Sequence, residues 1–357
     1  MNERGENTPL TPALSREERE KYSRSVLFAG IGREGQARIR AFSIAFVGVG
    51  AVGAPAAEAA VRAGFGRISV IDRDIVEPSN LSRQFLFDEE DAARLSPKAE
   101  AAARRLREID PAFPIRAVVA DLDHRNARKL LAGHDLVFDG SDNFETRLLV
   151  SDATRSLKLP FLYAACVGAE GRVALSIPGK TPCLRCYLET LPPPGSGPTC
   201  DTAGIVPTLP PLIASIGMTE VVRFAAGEPA SAGILTVTVW EEGFRAGRLL
   251  EAARPSSACP VCAQGRFPAL EGEGASEMVK LCGRQSVQIM PGLRARPDFE
   301  ALEQRLSPFG RVRRSPQLLN AEVEDVSLTV FADGRCVVRG TDDLTRARSL
   351  YDRYIGS

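Results

Sequence analysis

The sequence predicts an α/β protein: a doubly wound, mostly parallel sheet with an antiparallel extension, followed by a small C-terminal α+β appendage. Three observations predict it. Between Ile44 and Cys166, short apolar runs rich in valine, isoleucine and phenylalanine alternate with helical stretches, the pattern of a parallel sheet covered on both faces. The first run ends in "GVGAVG", Gly48 to Gly53, a strand–turn–helix signature. Beyond Ala263 comes a stretch of linker composition, and after it the rhythm changes to short strands and a hairpin.

Each element has a local reason. Residues 1–15 form a polar leader, which excludes a secretory signal. "SREERE" offers a capping box, Ser15 with Glu18, opening a helix toward Ser25. "SIAFVG" is a strand, Val52 to Ala63 a helix and "RISVID" the next strand. "SPKAEAAARRLREID" is a helix, "IRAVVA" a strand, and "HDLVFDG" a buried strand ending at Asp139. Helix Phe144–Leu157 and strand "PFLYAAC" follow. "GRVALSI" and "ILTVTVW" read as antiparallel additions on either side of the helix "LPPLIASIGMTEVVRFAAG". The main domain spans 16–265, a linker 266–280, and a small α+β domain 281–357. That last domain holds "SVQIMPG", a helix from Asp298 to Leu306, a hairpin turning at Asp333–Gly334, and a closing helix in "DDLTRARSLYDRYIG".

Composition narrows the function. Lysine plus arginine and aspartate plus glutamate are both 45 in 357 residues, so the formal charge is zero. That argues against a nucleic-acid partner bound through phosphates. The longest uncharged central run, Thr202 to Thr219, is broken by Pro207, Pro210 and Pro211, so no membrane span is expected. The chain reads as cytoplasmic, where its eight cysteines point to metal or thiol chemistry before disulfides.

In a Rossmann-like unit Gly48 permits the tight turn, Gly50 lets backbone approach phosphate, and Gly53 lets helix and strand pack closely. The helix N-terminus offers free N–H groups to an anion, and Asp72, ending the next strand, suits a ribose diol. The motif leaves the nucleotide open. A nicotinamide oxidoreductase would need an acid/base group, yet the only histidines are His124 and His134, each most simply structural. After Asp72, "RDIVEPSNLSRQF" sets Asp74, Asn80, Arg83 and Gln84 at the carboxyl edge of the sheet, and Lys98 opens the next helix. Arg83 can clamp phosphate oxygens with its planar fork. "DGSDN" places Asp139, Asp142 and Asn143 past a strand, where a carboxylate can hold magnesium shared with phosphates. Cations plus magnesium are what cleavage of an α–β phosphate bond needs.

Taken in order, "GVGAVG", "IDRDIVEPSNLSRQ", "SPK", "DGSDN", "CLRC" and "CPVC" make the chain from Tyr22 to Cys262 resemble the ubiquitin-activating-like adenylyltransferases. Bacterial members activate the sulfur carriers of thiazole and molybdopterin synthesis. The resemblance implies that the glycine loop, Gly48 through Ala51 to Gly53, holds ATP. It implies that Asp72 contacts the ribose and that Asn80, Arg83 and Lys98 hold phosphates, with Asp74, Ser79, Gln84 and Asn143 around them. It implies that Asp142 binds Mg2+ and that Arg24 enters the ATP site of the other subunit of a homodimer. Ala51 departs from the family, standing where many members carry glycine.

"CLRC" and "CPVC" supply Cys183, Cys186, Cys259 and Cys262, four thiolates for a closed structural Zn2+ site; a redox role is the alternative. Cys200, in a glycine- and proline-rich loop, matches a family cysteine that can become linked to the activated carrier in thiazole-type members and is not required for adenylation in molybdopterin-type ones; a bystander thiol is the alternative. Cys166, Cys282 and Cys336 read as buried apolar residues. The expected reaction is adenylation of the C-terminal glycine of a ubiquitin-fold sulfur-carrier protein ending in Gly-Gly. A sulfur donor such as a cysteine desulfurase then yields the thiocarboxylate. The tail resembles that of thiazole-type members. Alternatives are the molybdopterin-synthase small subunit, a small carboxylate or modified tRNA nucleoside, a nicotinamide-dependent oxidoreductase, and a non-catalytic scaffold. Because the phosphate contacts all lie before Asn143, removing the residues after about Glu271 is expected to leave ATP binding intact.

Overall fold

The computed structural model describes residues 14–187, 203–231, 233–240, 243–249, 255–273, 278–281, 285–290 and 297–355. Strands β1 (Ser43–Val47), β2 (Arg67–Asp72), β3 (Ile115–Val119), β4 (Leu136–Asp139), β5 (Phe161–Val167), β6 (Glu170–Ser176), β7 (Ile234–Thr238) and β8 (Arg245–Leu249) form one sheet in the order β3-β2-β1-β4-β5-β6-β7-β8. The first five run parallel and the last three antiparallel, as the sequence predicts for all but β8, which it does not single out.

Alternation along the central strands sorts their side chains onto two buried faces. Ile44, Phe46, Ile68, Val70, Leu136 and Phe138 pack with helices Gly53–Ala63, Lys98–Ile109 and Leu209–Ala225. Ala45, Val47, Ile71, Val137 and Phe161 pack on the other side with helices Ala127–Leu131 and Phe144–Ser156. The strand order, not the strand direction, reverses between β1 and β4: β2 and β3 lie to one side of β1, and β4 and β5 to the other, the switch point at which such sheets open a crevice. Register aligns the crevice, for Val47 pairs with Ile71 on one side and Asp139 on the other. Gly48, Asp72 and Gly140 therefore share one edge.

A second, antiparallel sheet joins β9 (Met278–Leu281), β10 (Ser286–Ile289), β11 (Val312–Arg314), β12 (Leu318–Val323), β13 (Val326–Phe331) and β14 (Cys336–Arg339), in the order β11-β12-β13-β14-β10-β9. Helices Phe299–Leu306 and Leu344–Tyr354 cover one face. Asp298 and Asp343 start these helices by accepting backbone N–H bonds one turn ahead.

Two local expectations are modified. The capping box at Ser15 forms, but its helix stops at Lys21 and resumes at Ser23. Tyr22, at the break, is buried against Gly64, where a Cβ would lie 2.4 Å from the ring. The segment of linker composition is also packed in its described part. Leu270 is buried in the main-domain core beside Phe267, and the Ala269 N–H donates to buried Asp152 at 2.9 Å. Composition reports what a segment is able to leave in water, and here one leucine and one backbone bond fasten it down.

Candidate functional site

The glycine loop is shaped by close backbone approach. Gly48 has φ +81°, and a Cβ on Gly53 would come within 1.9 Å of the Gly48 carbonyl oxygen. Gly50 differs, since a Cβ there would make only ordinary contact, 3.6 Å from Gln84. The protein itself does not require glycine at that position; an occupant lying on the loop would.

A cleft of about 940 Å³, open mouth included, extends from this loop across the ends of β1 to β5. Of the residues predicted from sequence, Gly48, Gly50, Ala51, Asp72, Asp74, Arg83, Gln84, Lys98, Asp142 and Asn143 line it. Gly53, Ser79 and Asn80 do not. Asn80 is buried and accepts the Glu77 N–H at 3.0 Å, while the Ser79 carbonyl accepts from Arg83 at 2.8 Å, so both shape the turn that carries Arg83. Arg24 is exposed on helix Ser23–Leu27, away from the lining of this chain's own cleft. Cys200 and Cys282 lie outside the described residues. Cys336 is buried as expected, whereas Cys166, also buried, lines the cleft.

Asp72 is fixed by two backbone donors, Val49 N–H and Asp74 N–H, both at 2.8 Å. Burial raises its pKa, opposed chiefly by the Lys98 charge. Buried Lys98 reaches Asp74 at 3.3 Å. Asp139 is fully buried; its Oδ1 accepts from the Ser141 N–H at 2.9 Å and hydroxyl at 2.6 Å, while its Oδ2 has no partner among the described residues. Burial pushes its pKa up to about 6, with Arg147 pulling the other way. Asp142 is exposed on the cleft, and Asn143 caps helix Phe144–Ser156 by accepting the Thr146 N–H at 2.8 Å.

Five polar lining residues were not singled out from sequence: Arg73, Asp121, Ser141, Thr146 and Arg147. Arg147 is buried, donates to the Ser141 carbonyl at 2.8 Å, and sits over the Tyr163 ring. Burial opposes its charge, yet Tyr163, Asp139 and Asp142 hold it protonated. Its signal was its place one helical turn after Asn143, on the same face. Neither histidine reaches the cleft. His134 is buried and bonded to Ser69 Oγ at 2.8 Å and the Leu131 carbonyl at 3.0 Å, and its pKa is lowered by burial.

The two CxxC pairs converge. Cys183 lies 3.8 Å from Cys186 and 3.6 Å from Cys259, sulfur to sulfur, and Cys186 lies 3.7 Å from Cys262. All four sulfurs fall within 4.8 Å of one another, a set able to hold a metal ion. A hydrogen bond from Cys183 pulls the Cys262 thiol down to about 5 and pushes Cys183 up, as expected of four thiols crowded together. Arg185, inside the first pair, clamps Asp152 with two 3.0 Å bonds and so anchors the cluster to helix Phe144–Ser156.

Comparison with known proteins adds the following. The model of the ThiF family matches residues 22–261. The Sulfur carrier protein ThiS adenylyltransferase of Bacillus subtilis is 39% identical over 337 residues, covering 94% of this chain and 99% of that protein. The Sulfur carrier protein adenylyltransferase of Thermus thermophilus is 36% identical, covering 70% and 92%. The mouse Adenylyltransferase and sulfurtransferase MOCS3 is 36% identical over 72% of this chain but 55% of its own length. Among solved structures, E. coli MccB with ATP aligns at a TM-score of 0.58 and 21% identity, covering 68% of this chain and 74% of that one, a likeness of fold.

Proposed function

The chain belongs to the ThiF family, and on that premise we propose that it adenylates the C-terminal glycine of a ubiquitin-fold sulfur carrier with ATP. The observation that carries the reading is the cleft, where a phosphate loop, the cations Arg83, Lys98 and Arg147, and the exposed carboxylate of Asp142 face one space. The nicotinamide alternative lacks an acid/base histidine there.

In this reading the loop from Gly48 to Gly53 takes the phosphates and Asp72 takes the ribose. The carrier carboxylate attacks the α-phosphorus, the bond to the β-phosphate oxygen breaks, and pyrophosphate leaves. Arg83 and Lys98 stabilise negative charge on the transferring and leaving groups. Arg147, buried under the Asp142 segment through Ser141, holds that segment in place and adds positive potential. Asp142, with Asp139 behind it, suits an oxygen-preferring magnesium ion, and its buried, partnerless Oδ2 neighbour is the kind of atom such a site explains. Magnesium there would neutralise charge on the leaving pyrophosphate. The persulfide of a donor such as a cysteine desulfurase then attacks the acyl-adenylate and releases AMP to give an acyl disulfide, and a thiol reduces that S–S bond, becoming part of a disulfide itself and leaving the thiocarboxylate. Arg24, exposed outside its own cleft, would serve the other subunit of a homodimer.

The four-cysteine set fits structural zinc. Tetrahedral Zn–S bonds of about 2.3 Å separate sulfurs by about 3.8 Å, close to the 3.6 to 3.8 Å found here. The free thiols suit a cytoplasmic location. The thiazole-type carrier is favoured over the molybdopterin type because the Bacillus relative matches through the tail, covering 94% of the chain. The test is exchange of labelled pyrophosphate into ATP, expected only when a carrier ending in Gly-Gly is present. Carrier-independent exchange with a small carboxylic acid would refute a protein substrate.

A further inference from the structure

Strand alternation gives the C-terminal sheet two faces. Val287, Ile289, Leu319, Leu328 and Val338 pack toward its helices. The opposite face, carrying Leu318, Val337, Gln288 and Arg339, meets the segment that joins Asp72 to Asn80. Ile75 of that segment is buried against Leu318, Phe331 and Val337. Three polar contacts surround this apolar seat. Gln288 Nε2 donates to Asp121 Oδ2 at 2.9 Å. Arg335, 1% exposed, donates to the Arg73 carbonyl at 2.5 Å. Arg339 pairs with Glu77 at 2.5 Å, and the Glu77 and Asn80 side chains cap each other's backbone.

Arg73 and Asp121 line the cleft, whereas Gln288 and Arg335 do not. Arg73 Nη1 donates to Asp121 Oδ1 at 3.0 Å, and its Nε lies 3.8 Å from Asp74, whose carboxylate also binds Lys98. The Gln288 amide thus holds the second oxygen of the carboxylate that shares Arg73 with Asp74. Without that donor Asp121 keeps only Arg73 to hold its carboxylate, and Arg73 shifts toward Asp74, which Lys98 also binds. The β3 end, where Asp121 sits, is on the far side of β2 from β1 and β4. This is the nucleoside side of the cleft if Asp72 takes the ribose.

We propose that the C-terminal sheet is a positioning element of the nucleotide cleft, with Gln288 and Arg335 fixing the Arg73–Asp121 pair that walls its nucleoside side. The inference rests on the reading of the cleft as an ATP site. It reverses the expectation from sequence that the tail is dispensable for ATP binding.

The test is ATP binding by calorimetry, without carrier, on the full chain and on Gln288→Met, which keeps side-chain volume and removes the donor. Affinity for ATP should fall roughly tenfold, the scale set by a buried charged acceptor that loses one donor. In the exchange assay KM for ATP should rise while KM for carrier and kcat at saturating ATP hold, in a chain whose far-UV circular dichroism matches the wild type. Asp121→Ala should weaken ATP binding as well, and the double variant should be no weaker than Asp121→Ala alone, because Gln288 acts through Asp121. Wild-type affinity in Gln288→Met, or additive losses in the double variant, would overturn the inference alone. A wild-type chain that does not bind ATP would overturn the ATP reading and this inference with it.

Discussion

In the cysteine cluster each sulfur lies against another sulfur, and the surrounding Arg185–Asp152 pair is fully matched by two 3.0 Å bonds. The cleft is built the other way. Around it Gln84 Oε1, Asp139 Oδ2 and Arg147 Nε are buried with no partner among the described residues. Buried polar atoms left unmatched cost on the order of 1–3 kcal/mol each. A closed set of soft ligands suits an ion that stays; unmatched groups along an open cleft suit an occupant that exchanges. On the proposed reading, the difference teaches that stability and turnover rest on separate places of one domain.

The comparison breaks first at the metal. Cys259→Ser should lower zinc from one ion per chain toward none and make the region around Cys183 sensitive to limited proteolysis. Closed zinc sites contribute on the order of 10 kcal/mol in small peptides, so this is the largest effect expected. The central sheet, with its own core, should remain folded. A metal-free wild-type protein of full stability would remove one side of the comparison.

Next comes the cleft. Asp142→Asn should keep the fold and reduce carrier-dependent exchange by orders of magnitude, as loss of a carboxylate that holds the metal costs several kcal/mol, roughly, at the transition state. Near-normal exchange would transfer the ion to Asp139.

The smallest effect sharpens the contrast through stability. Asp139 has a folded pKa of about 6 against an ordinary 3.8. The native state therefore binds more protons than the unfolded chain between these values, and stability is lost as pH rises through the folded pKa. Asp139→Asn, which keeps a carbonyl for Ser141, should be more stable than wild type at pH 7 by on the order of 1–3 kcal/mol. That gain should vanish below about pH 4. Denaturation without nucleotide or added magnesium checks this, and a pH-independent difference would contradict it.

Much of the main domain was legible because its signals are local. Strand alternation, the spacing of Gly48, Gly50 and Gly53, and the CxxC pairs each occupy a few consecutive residues. Asp72, Arg83 and Lys98 were legible because strand ends in parallel sheets deliver residues to one edge. Arg73, Asp121 and Gln288 were not, since their relation spans 167 residues between Asp121 and Gln288 and depends on how two sheets face each other. The packed segment around Leu270 escaped for a similar reason: one buried side chain and one bond to Asp152 outweigh its composition.

The central claim is that this cleft joins AMP to the C-terminus of a carrier protein, and intact-mass analysis of the carrier tests it most directly. Incubated with this chain, ATP and magnesium but no sulfur donor, a carrier ending in Gly-Gly should gain one AMP at its terminal carboxylate, and a carrier extended by one residue should gain none, since near-attack placement of carboxylate and α-phosphorus governs the rate. An unmodified Gly-Gly carrier under conditions where the chain binds both ATP and carrier would contradict the account.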